Sequence, residues 1–182
     1  IVRNLFHFGG QYGWFLGIGL LPLAQVFALE FTVPFWVAII AAVFLGEQLT
    51  PRRMLAVALG IAGVVVILKP GIEILELASL VVLASALSFS CAYVATKSLS
   101  RSEHPLTVLF YMCLVQMPVS LVLALPNWSL PRAPEQWWWL FIVGVTALTA
   151  HFCITTAMKT SDAGIVVTLD FLRLPLIGLV GI

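Results

Sequence analysis

The chain has 182 residues, of which 62% are apolar and only 9% charged, with a formal net charge of +1 and a mean hydropathy of +1.10. A soluble domain needs about 25% charged residues to face water, so most of this surface is built for lipid. Nine basic residues against eight acidic ones supply no cluster for nucleic acid, and Cys91, Cys113 and Cys153 stand far apart without metal or disulfide spacing.

A spanning helix needs about 20 mostly apolar residues, and seven segments meet or approach that length: 5–20, 22–46, 51–69, 74–97, 105–125, 137–158 and 162–182. The first two are separated at Gly19-Leu20-Leu21-Pro22, because proline suits the first turn of a new helix. Gly46 closes the second helix, and Thr50-Pro51 opens the third as N-cap and N1. Glu47, between them, is expected to pair with Arg52 or Arg53 or to cap the next helix. Later breaks fall at Lys69-Pro70-Gly71, Lys97 to Pro105, Pro126 to Pro134 and Lys159 to Asp162, with Asp162 a candidate N-cap. The three cysteines read as small core residues. Gly9, Gly13 and Gly17 share one face of the first helix, where small residues let another helix come close.

Charge tests this topology. With the start of the chain inside, Arg3, Arg52, Arg53, Lys97, Arg101 and Lys159 fall on the cytoplasmic side, and only Lys69 and Arg132 outside, as the positive-inside rule requires. Trp137-Trp138-Trp139 then forms an aromatic anchor at the outer interface. The chain begins at Ile1 rather than Met and stops at Ile182 inside an apolar run, so it reads as part of a longer protein.

The most informative pattern is a repeat at a spacing of about 140 residues. Leu29-Glu30-Phe31-Thr32-Val33-Pro34 returns as Leu169-Asp170-Phe171-Leu172-Arg173-Leu174-Pro175, and the same offset pairs Gln11 with His151. Each acid lies about eight residues into its helix, roughly 12 Å below its own face at about 1.5 Å per residue, and each precedes a proline that loosens the helix. The two copies cross in opposite directions. Opposed repeats with midplane sites characterise inverted-topology transporters.

At these residues the chain resembles the drug/metabolite transporter superfamily, specifically the EamA-type permeases. The Pro34 helix, its close at Gly46-Glu47-Gln48-Leu49-Thr50 and the following Gly60-Ile61-Ala62-Gly63-Val64-Val65-Val66 resemble the end of the family's first repeat. The Asp170 to Pro175 stretch resembles the matching helix of the second. The resemblance implies an all-α integral membrane fold of ten helices in two inverted repeats, of which this chain matches helices three to nine. Residues 1–69 would be the latter part of the first repeat and 74–182 most of the second. It also places a transport cavity between the repeats, where Glu30 and Asp170 lie.

A charge at a helix centre costs roughly 2.5–3.5 kcal/mol on insertion scales, so it is retained for a reason. Glu30 is read as a substrate-amine ligand or proton carrier, or else as a protonated acid bonded to a neighbouring helix. Asp170 and Arg173, at i and i+3, can form an ion pair, or Arg173 can hold a substrate carboxylate. Together these charges favour a zwitterion or a cation. Gln11, Tyr12, Trp14, Tyr93 and His151 are candidate lining residues, with helix packing as the alternative for each. His7 and His104 are set aside as lying near a membrane face and in a loop.

The expected function is a secondary transporter of small polar metabolites in a bacterial inner membrane, with proton coupling through Glu30 or Asp170 as an option. No Walker motif, cofactor motif or metal-ligand cluster is present in the sequence. The expected partners are the lipid bilayer and a small-molecule substrate, with a homodimer left open. A non-transporting scaffold and a membrane-embedded enzyme are the rival readings, the latter weakened by the lack of a clustered nucleophile and base.

Overall fold

A computed structural model of the protein describes residues 1–68 and 77–170, with the side chains of 53, 60, 63–68 and 170 outside the description. Among the described residues every regular element is a helix: α1 Val2–Leu20, α2 Leu23–Glu30, α3 Val33–Leu45, α4 Pro51–Leu68, α5 Leu77–Ser100, α6 Pro105–Ala124, α7 Pro134–Thr160 and α8 Ala163–Asp170. Four helical stretches among the described residues are long and apolar enough to cross a membrane, with α2 and α3 counted as one broken span over Leu23–Leu45. The other three are Leu77–Ser100, Pro105–Asn127 and Pro134–Thr160.

Local chemistry explains the boundaries. Gly46 ends α3 with φ of 69°, a left-handed conformation that glycine adopts without a Cβ clash. Proline opens α4, α6 and α7 at N1, where the missing N–H has no partner to lose. Before α7, Gln136 Oε1 accepts from the backbone N–H of Arg132 at 2.9 Å and of Ala133 at 3.3 Å, so that helix begins three residues earlier than the tryptophans suggest.

The chain zigzags, and hydrogen bonds fix which ends lie together. Arg3 Nε donates to Thr96 Oγ1 at 2.9 Å, joining the start of α1 to the end of α5. Asn4 Nδ2 donates to the Tyr111 carbonyl on α6 at 2.9 Å. At the opposite end, Gln25 Nε2 reaches Ser79 Oγ at 3.4 Å. One end, called the basic end below, therefore carries Arg3, Arg52, Lys97, Arg101 and Lys159, while Arg132 sits at the other.

The central element is α5, which touches α1, α2, α3, α6, α7 and α8. Its small polar residues Ser79, Ser85, Ser90, Thr96 and Ser100 are buried, and several bond helix carbonyls: Ser90 Oγ donates to the Ala86 carbonyl at 2.7 Å, and Ser85 Oγ to Gly10 on α1. This lets backbones approach where lipid gives no hydrophobic drive for association. The stripe of small residues that serves the contact is Gly10, Gly13 and Gly17, not Gly9, Gly13 and Gly17. A Cβ at Gly10 would meet the Phe89 ring at 2.9 Å and one at Gly17 would collide with Val82, whereas Gly9 faces open space.

Among the described residues, apolar packing forms two clusters. Val33, Val37, Ala41, Ala86, Val94, Met158, Ala163, Val166 and Val167 join α3, α5, α7 and α8 toward the basic end. Leu21, Val26, Leu29 and Val82 join α1, α2 and α5 at the other. The outer face of α7, including Trp137, Trp138 and Trp139, is exposed. Two cysteines depart from the core role expected for them: Cys113 and Cys153 lie on exposed helix faces, and Cys91 is half-buried. A side chain on the lipid side of a membrane helix is as apolar as one in the core, so composition does not separate the two.

Candidate functional site

Glu30 lies at a break in its helix. Pro34 lacks the N–H that would bond the Glu30 carbonyl, and the chain turns through Phe31 and Thr32 before α3 resumes. The Thr32 backbone N–H bonds Leu29 at 3.1 Å, three residues back rather than four, and Thr32 Oγ1 donates to the same carbonyl at 2.8 Å. The Glu30 carboxylate accepts from Trp14 Nε1 at 2.8 Å. Two residues singled out from sequence are thus brought together, one from α1 and one from the broken span. The Trp14 ring also meets Phe15 and Phe27 edge-on, with centroids 5.4 and 5.9 Å apart, which sets the direction of its N–H. Trp36 Nε1, just beyond the break, is a buried donor without a partner among the described residues.

A second polar cluster occupies the basic end of α1. Arg3, Asn4 and His7 are buried, Arg3 with 5% exposure. Arg3 Nη1 donates to Asn4 Oδ1 at 3.1 Å. Gln116 Nε2 lies 2.9 Å from His7 Nδ1 and donates to the Asn4 carbonyl at 3.3 Å. The His7 and His151 rings meet edge-on with centroids 4.8 Å apart. His7, set aside for its nearness to a membrane face, is therefore a residue that His151 contacts. Arg3 has no acidic partner among the described residues.

The turn between α7 and α8 is gripped by two charged side chains. Lys97 Nζ donates to the carbonyls of Met158 at 2.7 Å and Ser161 at 2.8 Å, and Ser100 Oγ adds a bond to Met158 at 3.1 Å. Lys97 was expected at the start of a loop, but α5 continues to Ser100 and buries it. The Glu47 carboxylate accepts from the backbone N–H of Ala163 at 2.8 Å and of Gly164 at 3.4 Å. A cation at a helix C-terminus and an anion at an N-terminus each match the helix dipole. Glu47 does cap a helix, α8, 116 residues away.

The remaining candidates divide. Gln11 and Tyr12 line a groove of about 290 Å³ between α1 and α6 with Phe8, Phe15 and Ser120, away from the Trp14–Glu30 pair. Tyr93 packs beside the basic-end apolar cluster. Asp170 is the last residue of α8; its side chain, and all of Arg173, lie outside the described residues. A cleft of about 710 Å³ between α3, α4 and α8 runs from Glu47, Arg52 and Arg101 to Pro34 and Leu169, ending beside the helix break and one residue short of Asp170.

The EamA-like transporter family model matches residues 1–69 and 76–180. The chain belongs to the EamA-like transporter family. It is 32% identical over 187 residues to a riboflavin transporter of Vibrio cholerae serotype O1, covering 94% of this chain and 63% of that protein. It is 29% identical over 163 residues to an S-adenosylmethionine uptake transporter of Rickettsia bellii, covering 90% and 55%. It is 29% identical over 154 residues to the pseudopaline exporter CntI of Pseudomonas aeruginosa, covering 84% and 54%. A crystal structure of a protein superposes with a TM-score of 0.79 at 21% identity, over 99% of this chain and 67% of that one, which shows the fold. The chain spans little more than half the length of the curated relatives it matches.

As an EamA-like chain it is a multi-pass integral membrane protein, and the relatives' names describe transporters rather than enzymes. Within this EamA-like fold, Arg3, Asn4, His7, Gln116 and Lys97 were not selected from sequence. The available signal was that each is a polar or charged residue within a few turns of an apolar helix's end, where a surface role is equally consistent with the pattern.

Proposed function

We propose that this chain forms the core of a secondary transporter for small polar metabolites, working by alternating access around a site at the α2–α3 break. The single observation that carries the reading is the Glu30 carboxylate held by Trp14 where Pro34 interrupts the span. A charge kept inside an apolar span, next to backbone freed from regular helix bonding, is the arrangement by which broken helices bind polar solutes. Family membership supports the same reading.

The basic end is the cytoplasmic one on this reading, by the excess of Lys and Arg it carries, in a bacterial inner membrane. Residues 1–69 and 74–182 are parts of two inverted repeats. Arg3 and Trp14 are eleven residues apart on α1, about 16 Å at helical rise, so α1 presents a buried cation at one level and supports the carboxylate at another. A carboxylate retained at the break favours a zwitterionic or cationic solute. Asp170 is the second candidate ligand, and either acid is a candidate proton carrier. Trp36 Nε1 would donate to an acceptor atom of the solute.

The test is counterflow into liposomes containing the intact protein, with a panel of amino acids, amines, riboflavin and S-adenosylmethionine. Selective exchange that Glu30→Gln abolishes establishes the function and the site. Exchange unaffected by Glu30→Gln and Asp170→Asn would keep the transporter and remove the site. No exchange by folded protein would favour a scaffold role.

A further inference from the structure

We propose that Glu47 is a latch between the two repeats: its carboxylate holds the first turn of α8 to the end of α3, keeps the apolar layer between those two helices closed, and must release in every transport cycle. On the alternating-access reading above, α3 and α8 belong to different repeats and the basic ends of those repeats separate when the site opens to that side.

The two grips on the α7–α8 turn are unequal. Lys97 is 7% exposed and makes two short bonds to the end of α7. It joins α5 to α7, both within residues 74–182, so it travels with that repeat and keeps the turn's shape. Glu47 joins 1–69 to 74–182. It is half-buried, and its bonds to the first turn of α8 are one short and one long, so water can take over those two when the helices part. A strong but solvent-reachable bond across the boundary holds a closed state without making it permanent.

Position completes the case. Glu47 and Gly164 both line the cleft that runs to Pro34 and Leu169. Directly beneath the latch, Val37, Ala41, Ala163 and Val167 are packed shut between α3 and α8, and the Glu47 backbone N–H bonds the Ala41 carbonyl at 3.3 Å. Moving α8 away from Glu47 would part these residues and open the packed layer that separates the cleft from the interior of the bundle.

The test uses the intact protein with Cys91, Cys113 and Cys153 replaced by serine, in membrane vesicles of both orientations, and a membrane-impermeant maleimide. Ala41→Cys reports the basic side, because Ala41 is 0% exposed beneath the latch; Leu21→Cys, 8% exposed at the α1–α2 corner, reports the other. Adding Glu47→Ala should raise labelling of Ala41→Cys from the basic side about tenfold, the population shift expected from losing one charge-assisted bond. Labelling of Leu21→Cys from the opposite side should fall. Glu47→Gln, which retains an acceptor oxygen without the charge, should give a smaller shift of the same sign and serves if Glu47→Ala does not fold. Unchanged labelling at Ala41→Cys, or a rise at both reporters together, would overturn the latch, the second because it marks general loosening. Counterflow in the same vesicles reads the transporter proposal separately, so either can fail alone.

Discussion

Glu30 and Glu47 belong to the same broken span, one at its middle and one just past its end, and the fold treats the two carboxylates differently. Glu47 meets two backbone N–H groups at the start of α8, donors that helix geometry leaves without intrahelical partners. Glu30 meets the N–H of a tryptophan side chain, a donor whose position depends on how α1 packs. A carboxylate satisfied by backbone is tied to a helix and moves with it. One satisfied by a side chain can exchange that partner for a solute by a rotamer change. On the two proposals above, the contrast gives conformational work to Glu47 and ligand chemistry to Glu30.

Four substitutions break or sharpen that contrast, in falling order of effect. Glu30→Gln should lower kcat/KM for the transported solute by roughly a hundredfold, about 2.7 kcal/mol, while thermal unfolding in detergent stays close to the parent; a large fall in stability with transport retained would reverse the roles given to the two acids. Lys97→Met leaves the Met158 and Ser161 carbonyls without the ammonium, and should cost roughly 1–3 kcal/mol of stability, read by chemical denaturation in mixed micelles. Gly17→Ala forces a methyl into Val82 and should cost about 1–3 kcal/mol, against no loss for Gly9→Ala. Equal losses at the two glycines would contradict the α1–α5 contact. Trp14→Phe keeps the ring and removes the N–H to Glu30, so KM should change by about threefold to tenfold, or roughly 1 kcal/mol, with expression and folding intact. An unchanged KM would show that Glu30 does not depend on α1.

Much of the architecture was legible without coordinates. Where the ends of the apolar segments are described, they fall within three residues of those expected, and the larger shifts have local causes: Pro134 with Gln136 lengthens α7 at its start, and the buried Lys97 lengthens α5 at its end. Pro34 marked the break beside Glu30, and the Lys and Arg asymmetry marked one end of the bundle. The Trp14–Glu30 pair was half legible. Both residues stood out as polar or amphipathic groups in apolar helices, but nothing in their spacing said that they touch.

Sequence by itself therefore determined lipid as the solvent, the order of the described helices, their breaks, and the end that carries basic charge. Each follows from local causes: the length of an apolar run, the missing N–H of proline, the freedom of glycine, the cost of burying charge. Only the tertiary structure decided that Gly10 rather than Gly9 meets α5, that Cys113 and Cys153 face outward, that His7 and Arg3 are buried, and that Glu47 holds α8. In water a helix shows its inner face by contrast with a polar outer one. In lipid both faces are apolar, that contrast is lost, and long-range hydrogen bonds such as Glu47 to Ala163 and Lys97 to Met158 are visible only once the helices are assembled.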